Sequence, residues 1–448
     1  MVGADLSDEL ELRVLDDPTG LEPFRRGVDG PCDLERAAHL ARRAGLGAPL
    51  GLLRDLLDRE PLDACEQFFT DPVHASDEIG RIRDSARALG SHEAARAYWV
   101  HRLLMTDAPL RKKLALFWHG HFATSVAKVK DARLLLDQLA LLRELGEGEF
   151  LYLVLGVAQD PAMIIWLDGN RNRRGNPNEN FARELMELFT LGIGNYTEED
   201  IREAARAFTG WHVKRGEFLL NMRAHDPGEK RLFGGGGVRD GLDVIHRCVQ
   251  RNESSCFIAS KLFRFFVHPR PGNRMVEDLG ERFRACRRHT GRFLRELFAS
   301  RVLYADVVRR SLVASPVDFV IGTLRTLGAG ASASETARHL ADMGQDLLRP
   351  PSVKGWDGGR AWIHSGSLLA RLRFAMEICE IESSLKASVP WAALRTGEGE
   401  SVPDSIVNRL FPGERLEGLR RQVRTLADQD DLVAVLAMCL QSPEYAMV

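Results

Sequence analysis

The segment from Asn176 to Trp211, NPNENFARELMELFTLGIGNYTEEDIREAARAFTGW, most constrains what this chain can fold into. Its apolar residues recur at the spacing of two successive amphipathic helices, the first over residues 178–191 and the second after Thr197. The first helix also carries polar side chains next to its apolar face: Glu179, Asn180, Arg183, Glu184 and Glu187. Carboxylates so close to a core must be paired, hydrogen-bonded or bound to a cation. The segment therefore predicts either an internal polar network or a functional site.

Helical spacing of apolar residues extends over most of the chain and predicts an all-α protein. We expect a large multi-helix domain over residues 33–445, after an irregular arm over residues 1–32 that is rich in Asp, Pro and Gly. A division into two lobes is open, with flexible linkers near residues 328–336 and 386–404. One small β-hairpin insertion is predicted near residues 217–236, where glycines flank two short apolar runs. The apolar run over residues 150–159 fits a buried helix or a buried strand.

The composition argues against several classes of protein. Lys and Arg number 61 and Asp and Glu 63, so the chain lacks the basic excess of a nucleic-acid or anionic-membrane binder. We interpret the local basic clusters at residues 111–113 and 171–174 as solvated faces. The seven cysteines are scattered without a CxxC pair, which favours reduced thiols. The acidic N-terminal residues show no signal-peptide pattern, and no apolar run is long enough to span a bilayer, so we expect a cytoplasmic location.

Several further segments stand in a recognisable order: AAHLARRAGLGAP from Ala37, RKKLALFWHGHFATSVAKV from Arg111, HDPGEKRLFG from His225, SPVDFVIGTLRTLG from Ser315 and GQDLLRPPSVKGWDGGRAWI from Gly344. Together with the opening segment they closely resemble the bacterial family catalogued as domain of unknown function 1800, over residues 33–445. The resemblance implies a helical protein and no settled reaction. Many relatives look exported and accompany a sulfatase-like family, which implies a partner protein of that family. This chain departs by having Gly120 where the resemblance leads us to expect Asn, and by lacking a readable export signal.

Two histidines, His119 and His121, flank Gly120 and are candidates for metal ligands. If the helix ends at the glycine, an extended chain would project both imidazoles to one face. A pair of imidazoles with a carboxylate is a common ligand set for zinc, manganese or iron. Asn180 and Glu184 complete the predicted set for a divalent metal. The alternative is that each histidine caps a helix end or forms a hydrogen bond in the core.

The pair His225–Asp226 is a candidate for acid–base chemistry. The aspartate would orient the histidine as a general base, and Glu184 would be a further proton carrier. The alternative is a turn that the Asp226 side chain stabilises, because Pro227 and Gly228 follow at once.

Substrate contacts are predicted on three segments: an oxygen-rich loop, the first helix of the opening segment and a glycine-flanked Trp loop. The side chains concerned are Asp168, Asn172, Arg183, Lys354 and Trp356. The alternatives are turn formation for the first two, a helix salt bridge for Arg183 and a structural anchor for Trp356.

These residues predict a metal-dependent enzyme, hydrolytic rather than redox, in which metal-bound water attacks an ester or amide of unknown identity. A mononuclear non-haem metal oxidoreductase uses the same ligand types and remains an alternative. The other alternative is a non-catalytic helical binding or assembly module whose buried polar cluster is structural and whose Trp356 contacts a partner.

Overall fold

The computed structural model describes residues 13–57, 59–69, 77–106, 108–380, 384–391, 401–427 and 432–448, and helices dominate these residues. In chain order the helices are α1 (Leu34–Ala44), α2 (Leu50–Leu56), α3 (Pro61–Phe69), α4 (Asp77–Leu89), α5 (His92–Leu104), α6 (Pro109–His121), α7 (Ala132–Leu145), α8 (Phe150–Gln159), α9 (Pro161–Trp166), α10 (Asn180–Glu184), α11 (Glu198–Ala207), α12 (Gly241–Gln250), α13 (Asn252–Phe266), α14 (Asn273–Ala285), α15 (Thr290–Phe298), α16 (Pro316–Leu327), α17 (Ala333–Asp342), α18 (Ser365–Glu377), α19 (Val402–Leu410), α20 (Glu417–Ala427) and α21 (Leu432–Gln441). α10 continues without a break as a π-helical segment (Leu185–Thr190). The predicted all-α class is confirmed, and the ambiguous run over residues 150–159 is helix α8.

The predicted β insertion is confirmed and consists of two short hairpins. Strand β1 (Trp211–Lys214) pairs antiparallel with β2 (Glu217–Leu220), and β3 (Lys230–Leu232) pairs antiparallel with β4 (Gly235–Val238). Residues 217–220 therefore pair with the preceding strand and not with residues 230–232. The insertion begins earlier than residue 217, because Trp211 stands opposite Leu220 in the first hairpin.

Side-chain caps fix where helices α11 and α16 begin. The Thr197 hydroxyl accepts from the backbone N–H of Asp200 at 3.1 Å, and the Asp200 carboxylate accepts from the Thr197 N–H at 2.9 Å, which forms the predicted capping box at α11. Ser315 caps α16, because its hydroxyl accepts from the Asp318 N–H at 3.1 Å. Gly328 ends α16 with φ +69°, a left-handed conformation that favours glycine.

The buried apolar side chains form two hydrophobic cores. The first core contains α1–α3, α8 and α10–α15, the second contains α4, α5 and α16–α21, and α7 and α9 contribute side chains to both. Helix α6 belongs to both, because Phe117 and Trp118 pack in the first core and Leu116 packs in the second. The Trp118 indole N–H donates to the Gly146 carbonyl at 2.8 Å, which fixes α6 against the end of α7.

The two segments predicted as linkers lie side by side where they are described. Gly330 and Ser388 exchange backbone hydrogen bonds at 3.3 and 2.9 Å. Residues 392–400 of the second segment lie outside the described residues, as do residues 1–12 of the predicted arm. The described part of the arm packs on the first core through Leu15, Leu21 and Phe24.

The described helices include none with the length and apolarity needed to cross a bilayer. All seven cysteines belong to the described residues and none forms a disulfide.

Gly47 lies in close contact with the backbone of α16. It has φ +81°, and a Cβ there would lie 2.4 Å from the Gly322 carbonyl oxygen of α16. We expect Gly47→Ala to lower the free energy of unfolding by about 1–3 kcal/mol, because the added methyl clashes with backbone and the conformation disfavours L side chains.

The matched control is Gly51→Ala in α2, where a Cβ would have no atom within 4 Å. That variant should be neutral or stabilised by up to about 1 kcal/mol. Urea unfolding followed by circular dichroism compares the two. Equal stability of both variants would contradict the close approach at Gly47.

Candidate functional site

A cleft of about 400 Å³ lies where helices of both cores meet. Helix α6 lines it with one face, on which Lys113, Phe117 and Gly120 recur at i, i+4 and i+7. Helix α13 contributes Lys261, Arg264 and Phe265 at i, i+3 and i+4. The start of α16 and the loop over residues 352–362 form other walls. The charged side chains that line the cleft are Arg43, Lys113, Lys261, Arg264, Lys354, Asp318 and Asp357.

Cationic side chains outnumber carboxylates in this lining. Asp318 is already engaged, because its Oδ1 lies 2.9 Å from Nζ of the buried Lys113. The same ammonium donates to the Arg42 carbonyl at 2.8 Å. Burial lowers the pKa of Lys113, and the Asp318 charge opposes that shift. The ion pair therefore accounts for one cation of the cleft, and the four other cations share the lining with one further carboxylate, the exposed Asp357.

Arg43 is the most deeply buried of these cations, with an exposed fraction of 1%. Its Nη2 donates to the Val308 carbonyl at 2.6 Å and to the Ser311 hydroxyl at 3.1 Å. Its Nε and Nη1 have no hydrogen-bond partner among the described residues. Burial lowers the pKa of Arg43 to about 9, which still leaves the guanidinium charged at neutral pH.

His121 also lines the cleft and is positioned by one hydrogen bond. Its Nε2 lies 3.0 Å from the carbonyl oxygen of Phe189, so this nitrogen must carry the proton and donate. Nδ1 is then an acceptor, and it is buried with no partner in the part of the chain that is described. Burial, and next the charge of Lys261, hold the pKa of His121 well below its ordinary value. Phe189 lies in the π-helical segment, a type of helix often found at functional sites.

His119 contacts a different set of rings from His121. Its imidazole lies 4.9 Å from the Trp99 ring and 5.6 Å from the Trp356 ring, whereas His121 contacts Phe122 and Trp118. The prediction that helix α6 ends at Gly120 is wrong, because the helix continues through His121. Two side chains separated by two positions in a helix point away from each other, so the expected convergence of the imidazoles is not observed.

The polar residues of the segment over residues 179–187 are mostly engaged locally. Arg183 forms ion pairs with Glu179 at 3.0 Å and with Glu198 at 2.8 Å, and Glu187 accepts from the Tyr196 hydroxyl at 3.0 Å. Burial raises the pKa of the half-buried Glu184, and the Glu187 charge adds to this effect.

Asn180 is exposed, contrary to the expectation that it lies beside the core. In the described part of the chain, no three His, Cys, Asp or Glu side chains are placed to hold a metal ion. The divalent metal on His119, His121, Asn180 and Glu184 therefore stays a prediction.

His225 and Asp226 form a structural turn. The Asp226 carboxylate accepts from the Arg206 guanidinium and from the Gly228 N–H, both at 2.8 Å. His225 is buried, and its Nδ1 donates to the Thr209 carbonyl at 2.9 Å. The carboxylate thus binds an arginine and does not orient the imidazole, which supports the interpretation of this pair as a turn.

Asp168 and Asn172 hold a loop in place. Asp168 forms an ion pair with Lys128 at 2.7 Å. The buried Asn172 amide donates to the Ala205 carbonyl at 2.9 Å, and its oxygen accepts from the Asn178 N–H at 3.0 Å. Neither residue lines the cleft, so the structure does not bring these two predicted substrate-binding residues close to it.

Lys354 and Trp356 do line the cleft. Between them, Gly355 has φ +80°, and a Cβ there would lie 2.1 Å from the Gly120 carbonyl oxygen. The loop can therefore reach α6 only because a glycine stands at this position. A Cβ at Gly120 itself would meet only Trp356, at 3.9 Å, so the glycine of this chain leaves room beside the tryptophan.

Sequence reasoning missed four of the cations: Arg43, Lys113, Lys261 and Arg264. The interpretation of residues 111–113 as a solvated face is wrong for Lys112 and Lys113, which are 5% and 4% exposed. The available signal was the position of basic residues inside apolar helical stripes, as in KLFRFF over residues 261–266.

The comparison with known families adds to this geometry. A family model described as protein of unknown function (DUF1800) matches residues 39–447. The chain belongs to the DUF1800 family. No curated protein and no solved structure matches it. The DUF1800 match includes nearly the whole lining of the cleft, from Arg43 to Trp362, and leaves out only Val448.

The burial of His119 should make the stability of the folded protein depend on pH. Burial lowers the pKa of His119 from 6.5 to about 3, so below pH 6.5 the unfolded chain binds a proton that the folded chain does not. Stability is therefore lost as pH falls, by about 1.4 kcal/mol for this residue between pH 7.5 and 5.5. We expect His119→Gln to remove that share of the acid sensitivity.

Urea unfolding at pH 7.5 and 5.5 measures the difference for each protein. The control is His246→Gln, at an exposed position of α12, which should keep the acid sensitivity of the unmodified chain. An unchanged acid sensitivity in His119→Gln would show that His119 is not held neutral in the folded state.

Proposed function

We propose that the cleft binds a small organic anion with a flat apolar part, and that this binding is the basis of the protein's function. The single observation that carries the proposal is Arg43, a buried guanidinium on the cleft wall with two nitrogens that lack partners among the described residues.

A buried, incompletely hydrogen-bonded cation is costly. Taking a charge out of water costs several kcal/mol unless an opposite charge and hydrogen bonds compensate for it. Asp318 is the nearest candidate, but it already pairs with Lys113 and is also close to Arg371, a second buried arginine with unpartnered Nε and Nη1. One carboxylate thus faces three buried cations. A carboxylate or phosphate group of a ligand would supply the missing negative charge in the forked geometry that guanidinium prefers.

The remaining walls favour an organic ligand over a bare inorganic ion. Aromatic rings line the cleft at Phe117, Phe265, Trp356 and Trp362. Such rings offer flat apolar surface to a ligand, and a few polar groups then fix its orientation. A volume of about 400 Å³ is that of a small-molecule site.

This geometry favours anion binding over the metal-dependent hydrolase that the sequence predicted. A concentration of ammonium and guanidinium groups repels a divalent cation, whereas it attracts a carboxylate or phosphate. Arg183 and Tyr196 already bind carboxylates of the segment over residues 179–187, which supports a structural role for that cluster. The metal-dependent hydrolysis of an ester or amide stays a prediction.

Binding of phenyl phosphate is the direct test. We expect it to stabilise the protein by about 2.7 kcal/mol at one hundred times its Kd, because it binds only the folded chain. The double variant Arg264→Ala/Lys354→Ala should bind at least tenfold more weakly, since each side chain lines the cleft and neither forms an ion pair with a described residue. Isothermal titration calorimetry measures the affinities.

The matched control removes the same charge elsewhere. Lys214 and Arg239 are exposed side chains that do not line the cleft. Lys214→Ala/Arg239→Ala should therefore retain the affinity of the unmodified chain. An equal loss of affinity in both double variants would show that binding depends on net charge and not on the cleft. An unmodified chain that binds no phenyl phosphate would refute the proposal.

The aromatic wall makes a separate prediction. Trp356→Ala should weaken binding of phenyl phosphate more than binding of inorganic phosphate, by a factor of about ten, because only the former stacks a ring on the indole. Competition titrations with the two anions give this ratio. A ratio that the substitution leaves unchanged would place the apolar part of the ligand away from Trp356.

A further inference from the structure

Lys261, like Arg264 and Lys354, forms no ion pair with an acidic residue among the described ones, and its side chain lies against an aromatic ring. Its Nζ lies 5.1 Å from the centroid of the Phe257 ring, and it forms no ion pair or hydrogen bond with the residues that the structure describes. The neighbouring charge is Arg264, one helical turn away on the same wall. The other polar neighbour is His121, whose Nδ1 is unpartnered and whose Nε2 is held by Phe189.

These surroundings disfavour the ammonium form of the side chain. Burial, and next the positive charge of Arg264, lower the pKa of Lys261 to about 8. Each effect acts in the same direction, since a low-dielectric wall and a like charge both penalise the ammonium ion. With that pKa, about a tenth of the molecules carry the neutral amine at pH 7 and about a quarter at pH 7.5. Lysines beside another cationic group in an apolar pocket are the type that attacks carbonyl carbon.

We propose that Lys261 forms a Schiff base with an anionic carbonyl compound bound in the cleft. This inference rests on the proposed function, because the other cations would hold the carboxylate or phosphate while the amine meets the carbonyl group. The substrate class is therefore a 2-oxo acid or a phosphorylated aldehyde, both of which carry an anionic group and a reactive carbonyl.

The reaction is balanced without any oxidant or reductant. The neutral Nζ attacks the carbonyl carbon, and a C–N bond forms as the carbonyl π bond opens. The C–O bond then breaks, and the oxygen leaves as water with the two protons of the amine. The product is a C=N bond between Lys261 and the former carbonyl carbon.

Reductive trapping tests this step. The full chain is incubated at pH 7.5 with pyruvate or with pyridoxal 5′-phosphate, each with sodium cyanoborohydride, and the adducts are located by peptide mass spectrometry. We expect close to one adduct per chain, at Lys261, with at least tenfold more labelling there than at any other lysine. Excess inorganic phosphate should slow this labelling, because both anions would bind the same cations.

Two variants complete the experiment. Lys261→Arg should lose the adduct while its circular dichroism spectrum and thermal unfolding show a folded chain. Lys130→Arg, at an exposed lysine outside the cleft, should be labelled at Lys261 like the unmodified protein. Labelling spread over exposed lysines, or no labelling at all, would overturn the inference.

The two proposals fail in distinguishable ways. If phenyl phosphate binds through Arg264 and Lys354 but no carbonyl compound is trapped at Lys261, the covalent step alone is refuted. If phenyl phosphate does not bind, the proposed function fails, whatever the trapping shows.

Discussion

Helix α6 lies between the two hydrophobic cores, and the rest of the structure depends on the burial that this position imposes. Every side chain of the helix except Arg111 is buried, and Gly120 has none. An ammonium or imidazole on such a helix cannot be hydrated, so each must find a partner inside the protein or remain unpaired at a cost. Lys113 has Asp318, and His121 has one carbonyl oxygen. The cleft lies along the face of α6 where this internal compensation is incomplete.

The predictable parts of the fold are those that short-range chemistry decides. The capping box of Thr197 and Asp200 and the start of α16 at Ser315 depend on residues three positions apart, so the sequence pattern contains the whole interaction. The strand over residues 217–220 was recognisable, but its partner was not. Strands on either side were available, and register depends on packing that no local pattern records. The helix through Gly120 was also missed, because the burial of nearly every side chain of α6 outweighs the low helix propensity of glycine.

The same distinction explains which site residues sequence reasoning found. Carboxylates beside an apolar stripe attracted attention to α10, yet Arg183 and Tyr196 satisfy most of them within the same segment. The cations of the cleft come from four distant parts of the chain, and each one alone resembles an ordinary solvated Lys or Arg. Of the cleft residues, His121 was anticipated, as a metal ligand, and so were Lys354 and Trp356, because glycines around a tryptophan indicate a loop with a fixed aromatic side chain. Convergence of charge is a tertiary property, and one sequence does not contain it in local form.

The buried cations near the cleft outnumber the buried carboxylates, and this excess is costly for the stability of the folded protein. If Asp318 served only to neutralise Lys113, an apolar pair of similar volume would be at least as stable, since buried ion pairs rarely add net stability. Arg43 and Arg371 would then add cost without benefit, because each leaves two nitrogens without partners among the described residues. Arrangements that cost stability locally are typical of functional sites, where the function requires them. A ligand anion would convert this cost into affinity, since the same unsatisfied donors that destabilise the free chain become hydrogen bonds in the complex. The stability of the region around α6 and its affinity for an anion are therefore two consequences of a single excess of buried positive charge.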